Sequence, residues 1–331
     1  MLFLFSDFHK MLRWVLLGVL FSFSIGSRAL AAPIYRDLRD RDSATTLVIA
    51  IGDTEIAFRW GFWEETNNKL VKRLVSEIVR RHPSFILHLG DMTNDGASNK
   101  NWVVFDRLFE PVRREHIPVL PVIGNQDCYK SVSTANIATA TKYIQLRFFA
   151  LKDHRWYSRV FRDAGFIMLN SNYSGMSKDE VQRQKSWYEK ILQEMDMTPS
   201  IHAIIVACHH PPFTNRESFE PNESRRQDFA QPFLKSKKAM LFLSGHCHSY
   251  ERFIKDGKTF IVSGGGGGIL QKLKTDLVHN PPDQFQGPPI RFVHFCELEF
   301  HTNLLTIRVV RLNDDGIFSI AETVSIPFHD N

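Results

Sequence analysis

The feature that most constrains the fold of this chain is an alternation of short apolar runs with helical patterns, which starts near residue 45. Residues 46–51 are rich in β-branched side chains, and residues 63–82 carry aliphatic side chains at helical spacing among charges. Pro83 ends that helix, and residues 85–89 form the next apolar run. This alternation is typical of βαβ units, so it predicts an α/β fold.

The alternation continues to the end of the chain, with more strand content in the second half. We predict helices over 101–116, 135–151 and 178–195, and strands over 117–123, 156–161, 166–170, 201–207, 239–244, 259–263, 292–300, 304–311 and 317–326. No linker divides this pattern, so we expect residues 33–331 to form a single domain. The glycine- and proline-rich stretch 264–289 predicts a loop, which is either functional or a disordered insertion.

Residues 1–32 have the features of an export signal. Lys10 and Arg13 form a basic region, residues 14–25 are apolar and uncharged, and small residues follow up to Ala31 and Ala32. We therefore expect cleavage near Ala32 and an exported protein, either periplasmic or secreted. The alternative is an uncleaved anchor, and only in that case do we expect the chain to associate with a membrane.

Composition excludes several classes of protein. A hydrophobic content of 43% and a charged content of 23% are those of a globular protein. Loss of residues 1–32, with three basic residues and one acidic residue, lowers the formal net charge from +5 to about +3. No run of Lys and Arg stands out as a track for a phosphate backbone, so we expect no nucleic-acid partner. Four cysteines without C-x-x-C spacing do not form a disulfide scaffold, but the disulfide state of Cys208 and Cys247 stays open.

Potential metal ligands follow five predicted strands, at the point where each strand ends. They are Asp53, Asp91, Asn125, His209 and the pair His246 and His248. Because loops at the carboxyl ends of strands converge in open α/β sheets, we expect these side chains to lie close together. Each residue alone is typical of a turn or a helix cap. Together, carboxylate, amide and imidazole groups match the ligands of zinc, manganese and iron, and they predict a metal centre.

The order of these motifs resembles that of the calcineurin-like metallophosphoesterases. The family pattern is D-x-H, GD, GNH, a histidine before a proline, and GHxH. The corresponding segments here are Asp53-Thr54-Glu55, Gly90-Asp91, Gly124-Asn125-Gln126, His209-His210-Pro211 and Gly245-His246-Cys247-His248. The following segment, Ser249-Tyr250-Glu251-Arg252, looks most like the purple acid phosphatase branch. The resemblance implies a four-layer αββα sandwich with mixed sheets.

The resemblance also implies two divalent or trivalent transition-metal ions, such as Mn, Fe or Zn, about 3.5–4 Å apart. Asp91 would bridge the two ions. Asp53 and His248 would hold the first ion, and the second would be held by Asn125, His209 and His246. A hydroxide bridging the metals would attack phosphorus, so the resemblance implies a hydrolase of small-molecule phosphoesters.

Two positions depart from the family pattern. Glu55 replaces the histidine of D-x-H, and it is either a harder metal ligand or a charged loop residue. Gln126 replaces the histidine of GNH, which in the family stabilises or protonates the leaving oxygen. Glutamine donates a hydrogen bond but does not titrate, and general acid catalysis supplies about 10²- to 10⁴-fold in rate. His210 is a candidate replacement for this acid, with His154 and His202 as alternatives.

Two rival hypotheses remain open at this point. The first is a non-catalytic relative that binds metal or a phosphorylated ligand, in which Glu55 and Gln126 mark the loss of activity. The second is a structural or adhesive surface protein, which would not need polar ligands at five strand ends. The sequence does not determine the oligomeric state.

Overall fold

The computed structural model describes residues 32–38, 46–55, 61–128, 133–152, 154–217, 223–274 and 281–328. The predicted export signal lies outside these residues except for Ala32, and it stays a prediction. Within the described residues no helix is long and apolar enough to cross a membrane. The described residues from Pro33 onward form one compact unit.

Twelve strands account for most of the interior of the described part. In chain order they are β1 (Leu47–Ile51), β2 (Phe85–His88), β3 (Val119–Pro121), β4 (Tyr157–Phe161), β5 (Ala164–Leu169), β6 (Ala203–Cys208), β7 (Ala239–Ser244), β8 (Tyr250–Lys255), β9 (Lys258–Ser263), β10 (His294–Phe300), β11 (Leu304–Leu312) and β12 (Phe318–Pro327).

Helices of varied length connect these strands. They are α1 (Gly61–Arg80), α2 (Asn99–Leu108), α3 (Glu110–Arg114), α4 (Asn125–Cys128), α5 (Thr134–Arg147), α6 (Lys178–Met197), α7 (Glu223–Arg225) and α8 (Gln231–Lys235). Short 3₁₀ turns span Phe149–Leu151 and Tyr173–Gly175, and a π turn spans Arg226–Ala230.

The strands form two mixed sheets of six strands each. The first has the order β12-β11-β10-β1-β2-β3, in which β1, β2 and β3 are parallel and the other neighbours are antiparallel. The second has the order β4-β5-β6-β7-β9-β8, in which the four central strands are parallel and the two edge strands are antiparallel to them. Parallel strands at the centre of both sheets place several carboxyl ends at the same edge.

The inner faces of the two sheets pack against each other through aromatic side chains. The ring of Phe85 in β2 lies 5.1 Å from that of Phe166 in β5, and Phe166 lies 5.8 Å from Phe300 in β10. Along β6, Ile205 and Ala207 belong to this inner core, whereas Val206 and Cys208 belong to a separate core on the opposite face. This alternation follows from the two-residue period of a strand.

Helices cover both outer faces. His88 of β2 packs on Phe105 of α2, with 6.1 Å between ring centroids. On the second sheet, Tyr188 and Leu192 of α6 join the core that contains Val206. The layers are therefore helix, sheet, sheet and helix, and the predicted four-layer α/β sandwich is confirmed.

Three details of the predicted secondary structure are wrong. The helix predicted over 101–116 is broken at Phe109 into α2 and α3, because the ring of Pro111 clashes with continuation of the preceding turn. The strand predicted over 166–170 begins two residues earlier, at Ala164, so the hairpin between β4 and β5 turns at Arg162 and Asp163. The edge strand β8 was not predicted, because it follows directly on the histidine motif.

A buried ion pair fixes α5 against α2. The guanidinium of Arg147 donates to Asp106 at 2.8 and 3.1 Å, and it lies 4.9 Å from the ring centre of Trp102. Arg147 is only 1% exposed. Such a pair fixes geometry, because either partner alone would be a buried uncompensated charge.

We expect Asp106→Ala to lower the free energy of unfolding by about 3–5 kcal/mol, because the charge of Arg147 then stays buried without a partner. Urea denaturation measures the effect. The exposed pair of Glu110 and Arg114 is the control, and Glu110→Ala should change stability by less than about 1 kcal/mol. Equal losses in the two variants would contradict the interpretation.

Candidate metal centre

The loops that follow β1, β2, β3, β6 and β7 meet at one edge of the sandwich. Hydrogen bonds join loops of different sheets, since His209 Nδ1 lies 2.9 Å from the carbonyl oxygen of Leu89. The amide of His246 likewise donates to both carboxylate oxygens of Asp53 at 2.9 Å. The structure therefore brings all the predicted strand-end residues into one region.

One group of side chains consists of Asp53, Glu55 and His248. His248 Nε2 lies 3.0 Å from a Glu55 oxygen and 3.5 Å from an Asp53 oxygen. One potential ligand atom from each residue lies within 4.8 Å of the others. Glu55 is 7% exposed and faces this group, so it is not a solvated loop residue.

A second group consists of Asn125, His209 and His246. Asn125 Oδ1 lies 3.0 Å from His209 Nε2 and 2.9 Å from His246 Nδ1. The two imidazole nitrogens are 3.2 Å apart. Three potential ligand atoms thus converge on one point from the ends of β3, β6 and β7.

Asp91 lies between the two groups. One of its oxygens is 3.3 Å from His209 Nε2, and the other accepts a hydrogen bond from the amide of Gln126 at 2.8 Å. Asp53, Asp91 and His209 also form a cluster with ligand atoms within 4.8 Å of one another. Asp53 therefore belongs to two clusters, and Asp53 and Asp91 connect the groups.

The backbone at these positions is unusual. Asp53, Asp91 and His246 have φ values of 60°, 51° and 67°, in the left-handed region that L-residues rarely adopt. Gly124 permits the close approach of two turns, since a Cβ there would lie 2.1 Å from the amide nitrogen of Asp91. Strained residues persist where surrounding contacts hold them, and such residues cluster at functional sites.

Burial and neighbouring charges shift the pKa values of these groups. Burial raises the pKa of Asp53, and it raises that of Glu55 to about 7. Burial opposes protonation of His248, but the nearby Glu55 and Asp53 raise its pKa well above the ordinary value. His248 thus supplies the positive charge that these buried carboxyl groups require.

The two facing imidazoles of the second group differ in protonation. Burial opposes protonation of His209, but Asp91 outweighs it and raises the pKa of His209 to about 9. Burial and the positive charge of His209 lower the pKa of His246 well below its ordinary value. A metal ion requires both rings neutral, so binding would release the proton of His209.

The residues present fit transition-metal ions. Glu55 Oε2 is buried and has no hydrogen-bond partner among the described residues, although a buried carboxylate oxygen normally has one. The two groups combine carboxylate, amide and imidazole donors, which suits borderline ions such as zinc, manganese and iron. These are candidate ligand groups for two ions.

The two predicted catalytic residues lie at this region. The amide of Gln126 is bound to Asp91, and its half-buried side chain has no hydrogen-bond partner among the described residues. His210 Nδ1 lies 2.8 Å from Ser171 Oγ, and a ring nitrogen of His210 clusters with those of His209 and His246. Burial lowers the pKa of His210 well below its ordinary value.

The two alternative acids lie elsewhere. His202 precedes β6, at the strand end opposite His209, and its Nδ1 is 3.2 Å from an Asp163 oxygen. His154 is exposed and packs near Trp156. Neither histidine reaches the candidate metal centre.

The glycine run of the predicted loop forms a wall of the site. The amide of Gly268 donates to the Asp53 carbonyl at 3.1 Å, and a Cβ on Gly268 would lie 2.6 Å from the His248 ring. His248 Nδ1 lies 2.8 Å from the Ile269 carbonyl, which orients Nε2 toward the carboxyl groups. This part of the loop is ordered around the site, and residues 275–280 lie outside the described residues.

Sequence reasoning missed Asp127, which follows directly on the Asn125-Gln126 motif. Its carboxylate accepts hydrogen bonds from the amides of Met92, Thr93 and Gly124 at 2.8, 3.1 and 3.0 Å. It therefore holds the turn after β2 against the turn after β3. The sequence shows only that Asp127 is an acidic residue near the start of a helix. Stabilisation of the helix N-terminus explains such a residue equally well, so its role between the two turns could not be predicted.

Glu251, in the segment that resembles the purple acid phosphatases, positions two motifs. It accepts from Thr214 Oγ1 at 2.7 Å, from the amide of Asn215 at 2.6 Å and from Ser249 Oγ at 3.1 Å. The loop after His210 is thereby joined to the strand that follows His248. Burial raises the pKa of Glu251 to about 7.

The cysteines pack around the site as thiols. All four are buried and free. The Cys208 thiol donates to the His210 carbonyl at 3.1 Å, and burial raises its pKa to about 12. Such a thiol is inert at neutral pH, so Cys208 is a packing residue.

Comparisons with known proteins agree with this geometry. The sequence profile of the calcineurin-like phosphoesterases matches residues 4–250. Among curated proteins, none matches the chain significantly by sequence.

Similar solved structures share the fold. GAP50, the anchor in the inner membrane complex of Plasmodium, has a TM-score of 0.66 at 17% identity over 86% of this chain and 89% of its own. The purple acid phosphatase from yellow lupin (Lupinus luteus) seeds has a TM-score of 0.66 at 19% identity over 85% of this chain and 53% of its own. A dimetal phosphatase from Danio rerio has a TM-score of 0.58 at 14% identity over 86% of this chain and 99% of its own.

The raised pKa of Glu251 predicts a pH-dependent stability. Between about pH 4 and pH 7 the folded state binds the Glu251 proton and the unfolded state does not. The free energy of unfolding therefore decreases as the pH rises through this range. We expect wild type to lose roughly 2 kcal/mol relative to Glu251→Gln between pH 5 and pH 8. Urea unfolding of both proteins at each pH measures the difference. Parallel pH profiles would show that Glu251 is already ionised when folded.

Proposed function

The chain belongs to the calcineurin-like phosphoesterase family, and from that membership we propose that it is an exported, metal-dependent phosphoester hydrolase. The observation that carries the proposal is the convergence of two linked groups of candidate ligands at one buried edge of the sandwich. Purple acid and dimetal phosphatases with the same fold support a hydrolase. Small-molecule phosphoesters are the proposed substrates.

In this proposal Asp53, Glu55 and His248 would hold the first ion, and Asp91, which lies between the two ligand groups, would contribute to both sites. Asn125, His209 and His246 would hold the second ion. When bound, two such ions acidify a water for attack on phosphorus and neutralise charge on the phosphoryl oxygens.

The chain itself orients the groups around the reacting phosphate. Asp127 and Glu251 hold the motif loops in register through their hydrogen bonds. Gln126, next to Asp91, donates a hydrogen bond to the leaving oxygen but supplies no proton. His210, neutral and oriented by Ser171, is the second candidate for contact with the substrate. Substrates with acidic leaving groups are therefore favoured.

Export is proposed from the sequence of residues 1–32 alone. The basic region, the apolar run and the small residues near Ala32 support a cleaved signal. The proposed location is the periplasm or the extracellular space.

A second candidate function is a metal- or phospholigand-binding protein without rapid turnover. Gln126 cannot protonate a leaving group, and His248 already compensates the charge of Glu55 at 3.0 Å. GAP50, which shares the fold, is known by its anchoring role in the inner membrane complex of Plasmodium. Both candidates predict metal binding, and only the first predicts turnover.

We expect the purified protein to bind two ions per chain and to hydrolyse an activated phosphomonoester or phosphodiester with added manganese, iron or zinc. Asp91→Ala should reduce turnover to the background, because Asp91 connects both ligand groups. Metal analysis and initial rates measure these effects, with the exposed Asp179→Ala as the matched control. Two bound ions without turnover on either ester would favour the binding protein.

Gln126→His should restore a titratable group beside the leaving oxygen. We expect kcat to rise by about 10²-fold or more for esters with poor leaving groups, and to change little for activated esters. Gln182→His, at an exposed position of α6, is the control. An equal effect on both kinds of ester would mean that residue 126 does not act on the leaving group.

A further inference from the structure

A second concave surface lies away from the candidate metal centre. This cleft encloses about 1560 Å³, and parts of α5, β4 and α6 line it together with Ile34 of the segment 32–38. None of the candidate metal ligands lines it, and neither do Gln126 and His210, whereas His154, which does not reach the metal centre, is a lining residue. Its function is therefore separate from that of the ligand groups.

The rim of the cleft exposes large apolar side chains. Ile34 is 72% exposed, Phe149 is 64% exposed and Leu146 is 48% exposed, and all three line the cleft. Soluble proteins usually expose such residues singly, whereas several together at one concave surface are typical of an interaction site.

Positive charge accompanies these apolar groups. Lys142 and Arg183 line the cleft and have no acidic ion-pair partner among the described residues. Lys152 Nζ lies 5.7 Å from the ring centre of Phe149. Glu180 is the one acidic residue among the described lining residues, and Arg155 neutralises it at 2.5 Å. The cleft thus combines apolar groups with excess positive charge.

The chain enters the fold at this same place. The amide of Tyr35 donates to the Arg147 carbonyl at 2.8 Å, and its ring stacks on Phe148 at 4.9 Å. Tyr35 is 1% exposed, so this stacked pair fixes the segment that carries Ile34 against the chain next to Phe149, and both residues line the cleft. The first described segment, residues 32–38, therefore lies beside the cleft.

We propose that this face binds the surface of a bilayer that contains anionic lipids. Its apolar side chains enter the boundary between headgroups and acyl chains, and its cations pair with lipid phosphates. The docking surface consists of Ile34, Lys142, Leu146, Phe149, Lys152 and Arg183. It binds with or without residues 1–31, and its role does not depend on turnover at the metal centre.

Aliphatic side chains favour this partner over single-stranded nucleic acid. Bases stack on open aromatic faces in single-strand binding proteins. Here the face of Phe149 lies beneath Lys152, and the most exposed of the other apolar groups are Ile34 and Leu146. Two half-buried tryptophans, Trp156 and Trp187, also line the cleft, and tryptophan is enriched where proteins meet the membrane–water interface. These groups suit acyl chains, which need apolar area rather than stacking geometry.

A fluorescent label tests the contact in the full-length chain. Because all four native cysteines are buried, Phe149→Cys provides a single accessible thiol for an environment-sensitive dye. The control is Ile317→Cys, where the native side chain is 63% exposed and does not line the cleft. We expect a blue shift at position 149 with vesicles of phosphatidylcholine and phosphatidylglycerol, and little change at position 317. Leu146→Cys replaces the first variant if its circular dichroism shows misfolding.

Charge reversal tests the cations. In the labelled protein, Lys142→Glu with Lys152→Glu should weaken affinity for the anionic vesicles by about thirtyfold or more, because each basic residue near such a surface contributes about fivefold. Lys235→Glu with Lys237→Glu, at exposed positions outside the cleft, should have little effect.

Three results would overturn the proposal. One is an equal response of the labels at positions 149 and 317, which is the result expected if the protein attaches to vesicles through residues 1–31 alone. Another is unchanged vesicle affinity after reversal of the two cleft lysines. The third is a shift at position 149 with a single-stranded oligonucleotide but not with vesicles, which would make nucleic acid the partner.

Discussion

Compensation of buried negative charge holds together the edge where the two sheets meet. Asp53, Glu55 and Asp91 are all less than 10% exposed, and carboxylates in such an environment are costly unless positive groups or hydrogen-bond donors surround them. His248 faces the first two carboxyl groups, and His209 faces the third. Because the histidines come from the second sheet and the carboxyl groups from the first, the same contacts join the two halves of the sandwich.

This arrangement makes the two halves of the centre chemically different. The group of Asn125, His209 and His246 presents three neutral or neutralisable donors and agrees with the family pattern. The other group presents Glu55 where the family has histidine, and this carboxyl group pairs with His248. A metal ion at that position would replace the proton of His248 as the compensating charge, so its affinity is expected to depend strongly on pH.

Much of the fold follows from local patterns, and the exceptions have physical causes. Side chains along β6 are all buried and alternate between the two cores with the two-residue period of a strand, and β7 has the predicted bounds. The helix breaks at Phe109 because of Pro111. A proline disrupts a helix locally, but the residue at which the break occurs does not follow from the local sequence. The role of Glu251 could not be predicted, because its partners Thr214 and Asn215 are 36 residues or more away in the chain.

The sequence by itself determined the class of fold, the family and the set of strand-end residues, because strand periodicity and motif order are encoded locally. Only the tertiary structure decided that Glu55 faces His248, that Asp127 connects two turns and that His202 lies at the far end of its strand. It also brought Ile34 and Phe149 to the same cleft. These are contacts between distant segments, and their geometry depends on how the sheets and helices pack rather than on the residues nearby in the chain.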